Sequence, residues 1–101
     1  LVDLGYVAKV RPCLVLSSSI TDRDRALVTL VAHTSSARGT SFEVASNASF
    51  LKAGVFDAQN LVTVPLAKLV RPLGLLADAD PRLVGLSVIA WLGLANLISE
   101  K

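Results

Sequence analysis

One histidine, one cysteine, one tryptophan, one tyrosine and no methionine leave this chain of 101 residues short of the side chains that cofactor and metal chemistry favours. A dedicated zinc site needs clustered His, Cys, Asp or Glu, and one His with one Cys cannot build it. The lone Cys13 rules out an intrachain disulfide framework, so a reducing cytoplasm is the expected compartment. GxGxxG, the P-loop and GxSxG are all missing, and with them the signatures of dinucleotide, nucleoside triphosphate and serine-hydrolase chemistry. Internal repeats and low-complexity tracts are absent, and no signal peptide is visible. The chain opens at Leu1 without a methionine, which reads as a fragment lacking its first few residues.

What the chain has in quantity is apolar surface. Hydrophobic residues make up 52% and charged residues 18%, a globular balance for one domain spanning residues 1–101. The mean hydropathy of +0.60 is high for this length, and an obligate oligomer that buries further apolar area between subunits would account for it. A net charge of +2 is mild, but its distribution is uneven. Residues 5–71 hold eight basic side chains against four acidic ones, a local excess compatible with a phosphate-contacting face and equally with ordinary solvated charge.

Short β-branched runs separated by turn residues predict a small antiparallel barrel. Residues 1–4 read as the end of a strand stopped by Gly5, 13–18 as a second strand, and 22–25 as a charged turn. "ALVTLVAHT" (26–34) is a third strand, and "FEVA" (42–45) a fourth with Phe42 and Val44 on one face. "NLVTVPL" (60–66) is a fifth, and "KLVRPLGLL" adds a short piece cut by Pro72. Strands thus run to about residue 76. Asp80 as N-cap and Pro81 at the first helical position predict a helix over about 80–98, apolar nearly all round and so buried on more than one side. Its apolar stretch of about 24 Å is short of the ~30 Å needed to cross a bilayer.

Conventional catalytic sets are scarce. A Cys13–His33 nucleophile pair is conceivable, but Cys13 lies in an apolar strand where burial keeps a thiol protonated. The acids fall mostly in turns rather than in facing pairs. What remains is a polar cluster at strand ends: Arg11, fixed by Pro12, then His33, Thr34, Ser35 and Ser36, then Arg38 and Gly39. A guanidinium is always charged and offers a donor fork matched to phosphate oxygens, and hydroxyls beside it can donate to the same oxyanion. Such a set suits a transition state that gathers negative charge on phosphorus, although composition alone also allows a Ser/Thr-rich turn and nothing more.

These segments, in order, carry a resemblance. "VDLG", "VRPCLVLS", "ALVTLVAHTSSARGTSFEV", "GVFDAQNLVTVPLAKLVRPLG" and "AWLGL" together resemble the MazF/PemK family of toxin–antitoxin ribonucleases, from Leu1 to about Leu94. The resemblance implies an SH3-like β-barrel with a C-terminal helix, a homodimer, and a metal-independent endoribonuclease that needs no cofactor. It implies cleavage of single-stranded RNA, typically mRNA, by attack of the ribose 2′-hydroxyl, and a small acidic, partly disordered antitoxin as partner. Matched residue by residue, the family's essential arginine falls on Arg11 and its threonine on Thr34. Lys9, Ser35, Ser36, Arg38, Gln59 and Asn60 are then the expected RNA contacts. Arg11 would stabilise phosphate charge, since a pKa above about 12 makes it a poor proton shuttle, and Thr34 would bond a non-bridging oxygen or orient the 2′-hydroxyl. His33 alternates to the opposite face and reads as a core or dimer-interface residue.

Several positions depart from the family pattern. Ala32 stands where many members have proline, and Gln59-Asn60 stands where many have Asp-Gln. The first inter-strand connection, "GYVAKV", is short, and the usual Gly-Asp opening is absent. Two other readings stay open on sequence alone: a gyrase-binding toxin of the CcdB branch, and an inactive SH3-like module for binding or dimerisation.

Overall fold

Eight residues without a glycine or proline, four of them β-branched, make β4 (Leu27–Thr34) the central strand. Its side chains alternate into two separate cores. Val28 and Leu30 pack with Val2 on one face, while Val31 packs with Phe56, Ala58, Val84 and Val88 on the other. The computed structural model describes residues 1–3, 10–77 and 79–99, and β4 is its most deeply buried element, with Val28, Leu30, Val31, Ala32 and His33 all inaccessible to solvent or nearly so.

Around β4 the sheet has the order β3 (Cys13–Val15), β4, β6 (Gly54–Pro65), β5 (Glu43–Ser46), every pair antiparallel. A separate ribbon pairs β1 (Val2–Asp3) with β2 (Val10–Arg11). The chain's start is tied to the segment after β6 by the Val2–Leu69 bridge and by Val70 N donating to the Leu1 carbonyl at 2.9 Å.

The sheet curls because β6 is bent. Val31 faces Leu61, whereas His33 faces Phe56, so the single residue Ala32 is matched by residues 57–60 on β6. Within that bulge Ala58 N turns to the Phe42 carbonyl at 2.9 Å, and Gln59 N donates to Asp57 Oδ1 at 3.0 Å. A bulge of this kind sharpens the local twist and redirects the strand. The first part of β6 is shared between β4 and β5, and the remainder pairs with β4 alone. The result is a curled antiparallel half-barrel with a C-terminal helix, the class expected from the sequence.

Several boundaries differ from expectation. The strand expected over 13–18 ends at Val15, because Ser17 Oγ accepts the Thr29 N–H at 2.9 Å in place of a backbone partner. That strand is half-buried rather than buried, with Val15 exposed. The fourth strand lies one residue later than 42–45, with Phe42 in the preceding turn, although Phe42 and Val44 do share the core face. The strand expected over 60–66 is the second part of the longer β6. "KLVRPLGLL" contributes a 3-10 turn ending at Lys68 (Leu66–Lys68) and the isolated bridge at Leu69, not a strand.

The helix begins one residue before the expected cap. α1 (Ala79–Trp91) places Asp80 and Pro81 inside its first turn. There Asp80 complements the helix dipole, and proline costs no hydrogen bond because the first N–H groups have no intrahelical partner. Nor does it run unbroken to 98. Gly93, at φ 73, stops it with Gly93 N donating to the Ala90 carbonyl at 3.1 Å and Leu94 N to the Ile89 carbonyl at 3.0 Å, before α2 (Ala95–Ser99) begins. This is a Schellman stop, for which glycine is preferred. Among the described side chains of α1 only Val84 and Val88 are buried, and each contributes about 1.5–3 kcal/mol by leaving water. Leu83 and Leu86 are left 51% and 60% exposed, so the helix is covered on one side here and not on more than one. Among the described residues no helix is long and apolar enough to cross a membrane.

Candidate active site

Thr34 is the last residue of β4, and its Oγ1 accepts the Ser36 N–H at 3.0 Å, which turns the chain out of the sheet. Such side-chain-to-backbone bonds are how Ser and Thr end regular structure. Ser35 and Ser36 follow directly and are exposed, while Thr34 is half-buried. Thr34 is thus held by the core strand below it and opens onto solvent above.

Arg11 reaches the same place from the other side. β3 pairs with β4 in the register Cys13–Ala32, Leu14–Val31 and Val15–Leu30. His33 N donates to the Pro12 carbonyl at 3.0 Å, which carries that register one residue past the strand. Arg11 itself pairs with Val2 in the β1–β2 ribbon, and the β3–β4 register, continued one residue past its last bond, points it toward Thr34. Directly opposed residues in an antiparallel pair share a face, so the arginine and the threonine belong to the same side of the sheet. Pro12, which has no N–H, contributes only an acceptor here and restricts the backbone of Arg11 before it.

Cys13 supports this arrangement rather than competing with it. Its Sγ donates to the Arg11 carbonyl at 3.7 Å, and burial pushes the thiol above its ordinary pKa against the lowering effect of the N-terminal ammonium and Arg11. His33 lies on the opposite face, edge-on to Phe56 with ring centroids 5.2 Å apart. Cys13 packs against the cluster of Val2, Val28 and Leu30, and Phe56 belongs to the other cluster, so a Cys13–His33 pair is excluded. His33 is 4% exposed, burial lowers its pKa, and its Nε2 has no hydrogen-bond partner among the described residues.

The remaining expected contacts are spread more widely. Lys9 lies outside the described residues. Arg38 is exposed in the loop that leaves Thr34, and its N–H is fixed by Glu43. Gln59 and Asn60 are exposed on the β6 bulge, opposite Ala32 rather than Thr34, whose own partner on β6 is Val55. Two positions escaped the sequence reading. Glu43 organises the 38–40 turn, and a T-x-x-E spacing at Thr40 and Glu43 was its legible signal. Gly54 lets β6 approach Thr34, since a Cβ there would collide with the Thr34 carbonyl and come within 3.0 Å of His33 Cε1. Nothing short of the three-dimensional register reveals that second role.

Beside this polar edge lies an apolar groove of about 550 Å³, lined among others by Pro12, Leu14, Phe50, Phe56 and Leu76. Its lining is mostly apolar, with Arg71 as its one basic side chain.

A curled antiparallel half-barrel followed by C-terminal helices is the fold of MazF-like toxins, and comparison with known proteins identifies the class. The family described as PemK-like, MazF-like toxins of type II toxin–antitoxin systems matches residues 1–92, and the chain belongs to it. Among solved structures it is similar to a mycobacterial endoribonuclease in complex with its cognate antitoxin, at 30% identity and a TM-score of 0.79, covering 92% of this chain and 88% of that one. It is also similar to the MazE–MazF complex of Deinococcus radiodurans, at 25% identity and a TM-score of 0.76, covering 91% and 89%. A second mycobacterial endoribonuclease structure matches at 27% identity and a TM-score of 0.72, covering 84% and 82%. Among curated protein sequences none matches. The chain is therefore a homologue of MazF endoribonucleases.

Proposed function

We propose that this chain is the toxin of a type II toxin–antitoxin pair, acting in the cytoplasm as a metal-independent endoribonuclease on single-stranded RNA. The observation that supports this reading is the β3–β4 register, which, continued past the Pro12–His33 bond, points Arg11 toward Thr34 at the rim of the sheet. In the proposed reaction the ribose 2′-oxygen forms a bond to the adjacent phosphorus and the bond from phosphorus to the 5′-oxygen breaks. The 2′-hydroxyl proton passes to solvent and the leaving 5′-oxygen takes one up, giving 2′,3′-cyclic phosphate and 5′-hydroxyl ends. Arg11 stabilises the charge that builds on the non-bridging oxygens, and Thr34 donates to one of them. Ser35, Ser36 and Arg38 extend a donor-rich path for the flanking phosphates, with Lys9, Gln59 and Asn60 as outer contacts.

Two partners accompany this reading. A second copy covers the exposed apolar side of α1, and an acidic antitoxin segment, complementary to the local positive charge, occupies the RNA path and silences it.

The test is cleavage of single-stranded RNA by the purified protein in excess EDTA, with analysis of the ends. Wild type is expected to leave cyclic phosphates, and Arg11→Ala to lower kcat by about 10²–10³-fold, the cost of losing one preorganised oxyanion donor. Full activity of Arg11→Ala and Thr34→Ala would overturn the site assignment. Gyrase binding without RNA cleavage would overturn the reaction itself.

A further inference from the structure

After Ser36 the chain must cross from β4 to β5, and it does so through a turn in which three successive N–H groups converge on one carboxylate. Arg38 N donates to Glu43 Oε2 at 2.9 Å, while Gly39 N and Thr40 N donate to Oε1 at 2.8 and 3.2 Å. Gly39 adopts φ 80, a left-handed conformation that helps aim consecutive N–H groups into one concavity. The turn is closed from its far side by Phe42 N donating to Thr40 Oγ1 at 3.3 Å and Glu43 N to the Thr40 carbonyl at 3.4 Å.

The carboxylate is itself rigidly mounted. Glu43 is the first residue of β5, paired with Asp57, and the Ala58 N–H bond to the Phe42 carbonyl pins the preceding residue to β6. The Arg38 N–H foremost, with those of Gly39 and Thr40 and the Arg38 charge, holds its pKa below the ordinary glutamate value against a smaller opposing effect of burial. Charge-assisted bonds of this type are roughly twice as strong as neutral ones.

A carboxylate on the margin of a phosphate path would repel RNA if its charge were left open. Here three N–H groups consume that charge, and what the charge achieves is order in the loop that carries Ser35, Ser36 and Arg38. We infer that Glu43 is a positioning residue for RNA: by clamping the backbone of residues 38–40 it aims the Arg38 guanidinium along the phosphate path that starts at Thr34. The inference rests on the RNA-cleavage reading above, and it assigns Glu43 no contact with the reacting atoms. Its effect therefore belongs in substrate capture rather than in the chemical step.

Glu43→Gln replaces one acceptor oxygen by an amide that faces other donors, so it opens the clamp with little change of volume. Steady-state cleavage of a single-stranded RNA should show KM raised about five- to tenfold with kcat changed by less than about twofold, the pattern of lost uniform binding. Glu43→Asp, which keeps the charge on a shorter arm, should recover part of that loss. Combined with Arg38→Ala, Glu43→Gln should add little further, because both remove the same contact. Amide hydrogen exchange at Arg38, Gly39 and Thr40 should accelerate at least about tenfold in Glu43→Gln while the amides of β4 stay protected. An unchanged KM, or full additivity with Arg38→Ala, would overturn the role in RNA capture, and unchanged exchange would overturn the clamp. If the wild type cleaves no RNA, the functional reading falls together with the role of Arg38, and the exchange measurement judges the clamp by itself.

Discussion

His33 sits one position from Thr34, yet burial lowers the pKa of its imidazole, which is turned to the opposite face of the sheet. A histidine whose folded pKa is depressed is protonated more readily in the unfolded chain. The unfolded state then binds more protons as pH falls below the ordinary value of 6.5, and stability falls with it. Denaturant midpoints measured between pH 7.5 and about 5 should therefore decline in the wild type. In His33→Phe that decline should be lost, since Nε2 gives up no hydrogen bond and the edge contact with Phe56 can be kept. A decline of equal size in both proteins would assign it to other groups. Glu43 acts in a lower window: its depressed pKa contributes stability above the ordinary glutamate value, lost only as pH falls through the folded value.

Between elements, the contact that matters most for the proposed site is the closure of β6 on the end of β4. Gly54→Ala puts a methyl against the Thr34 carbonyl, which belongs to backbone and cannot swing aside. The first residues of β6 must then move away, at a cost of about 1–3 kcal/mol. Denaturant unfolding should register that loss, and RNA cleavage should fall with Thr34 displaced; unchanged stability would show that the two strands separate freely.

That junction also marks where sequence reading stops. β4 was legible because its β-branched run is long and free of breakers, whereas Arg11 and Thr34 were singled out as a pair only through the family motif. β6 was truncated because Asp57 and Gln59 are polar and disfavour a strand locally. They form the bulge, where β6 departs from regular pairing with β4. The helix start was misplaced by one residue because Asp-Pro is favourable both at a cap and within a first turn. The stop at Gly93 was hidden inside an apolar run. The role of Gly54 depends on a contact between residues twenty apart in sequence, which no local pattern encodes.

For the molecule as a whole, the unfinished surface is that of α1. Val84 and Val88 bind it to the sheet, and Trp91 meets Phe42 edge-on at 5.3 Å, while Leu83, Leu86, Leu94 and Leu97 stay at least 39% exposed. Light scattering is expected to find a dimer at micromolar concentration. Leu86→Glu, which places a charge where the second copy would sit, should shift it toward monomer without unfolding it, because Leu86 contributes to neither core cluster. A wild-type monomer would overturn the pairing.

The position of Thr34 finally bears on how the molecule divides interior from surface. The four residues before it in β4, from Leu30 to His33, are buried, and the two after it are exposed. Burial thus falls away across a few bonds, and the half-buried threonine stands at the edge of the packed interior. Under the proposed reading, the bond to be cut would lie against that buried floor, and the flanking nucleotides would lie against side chains that open to water.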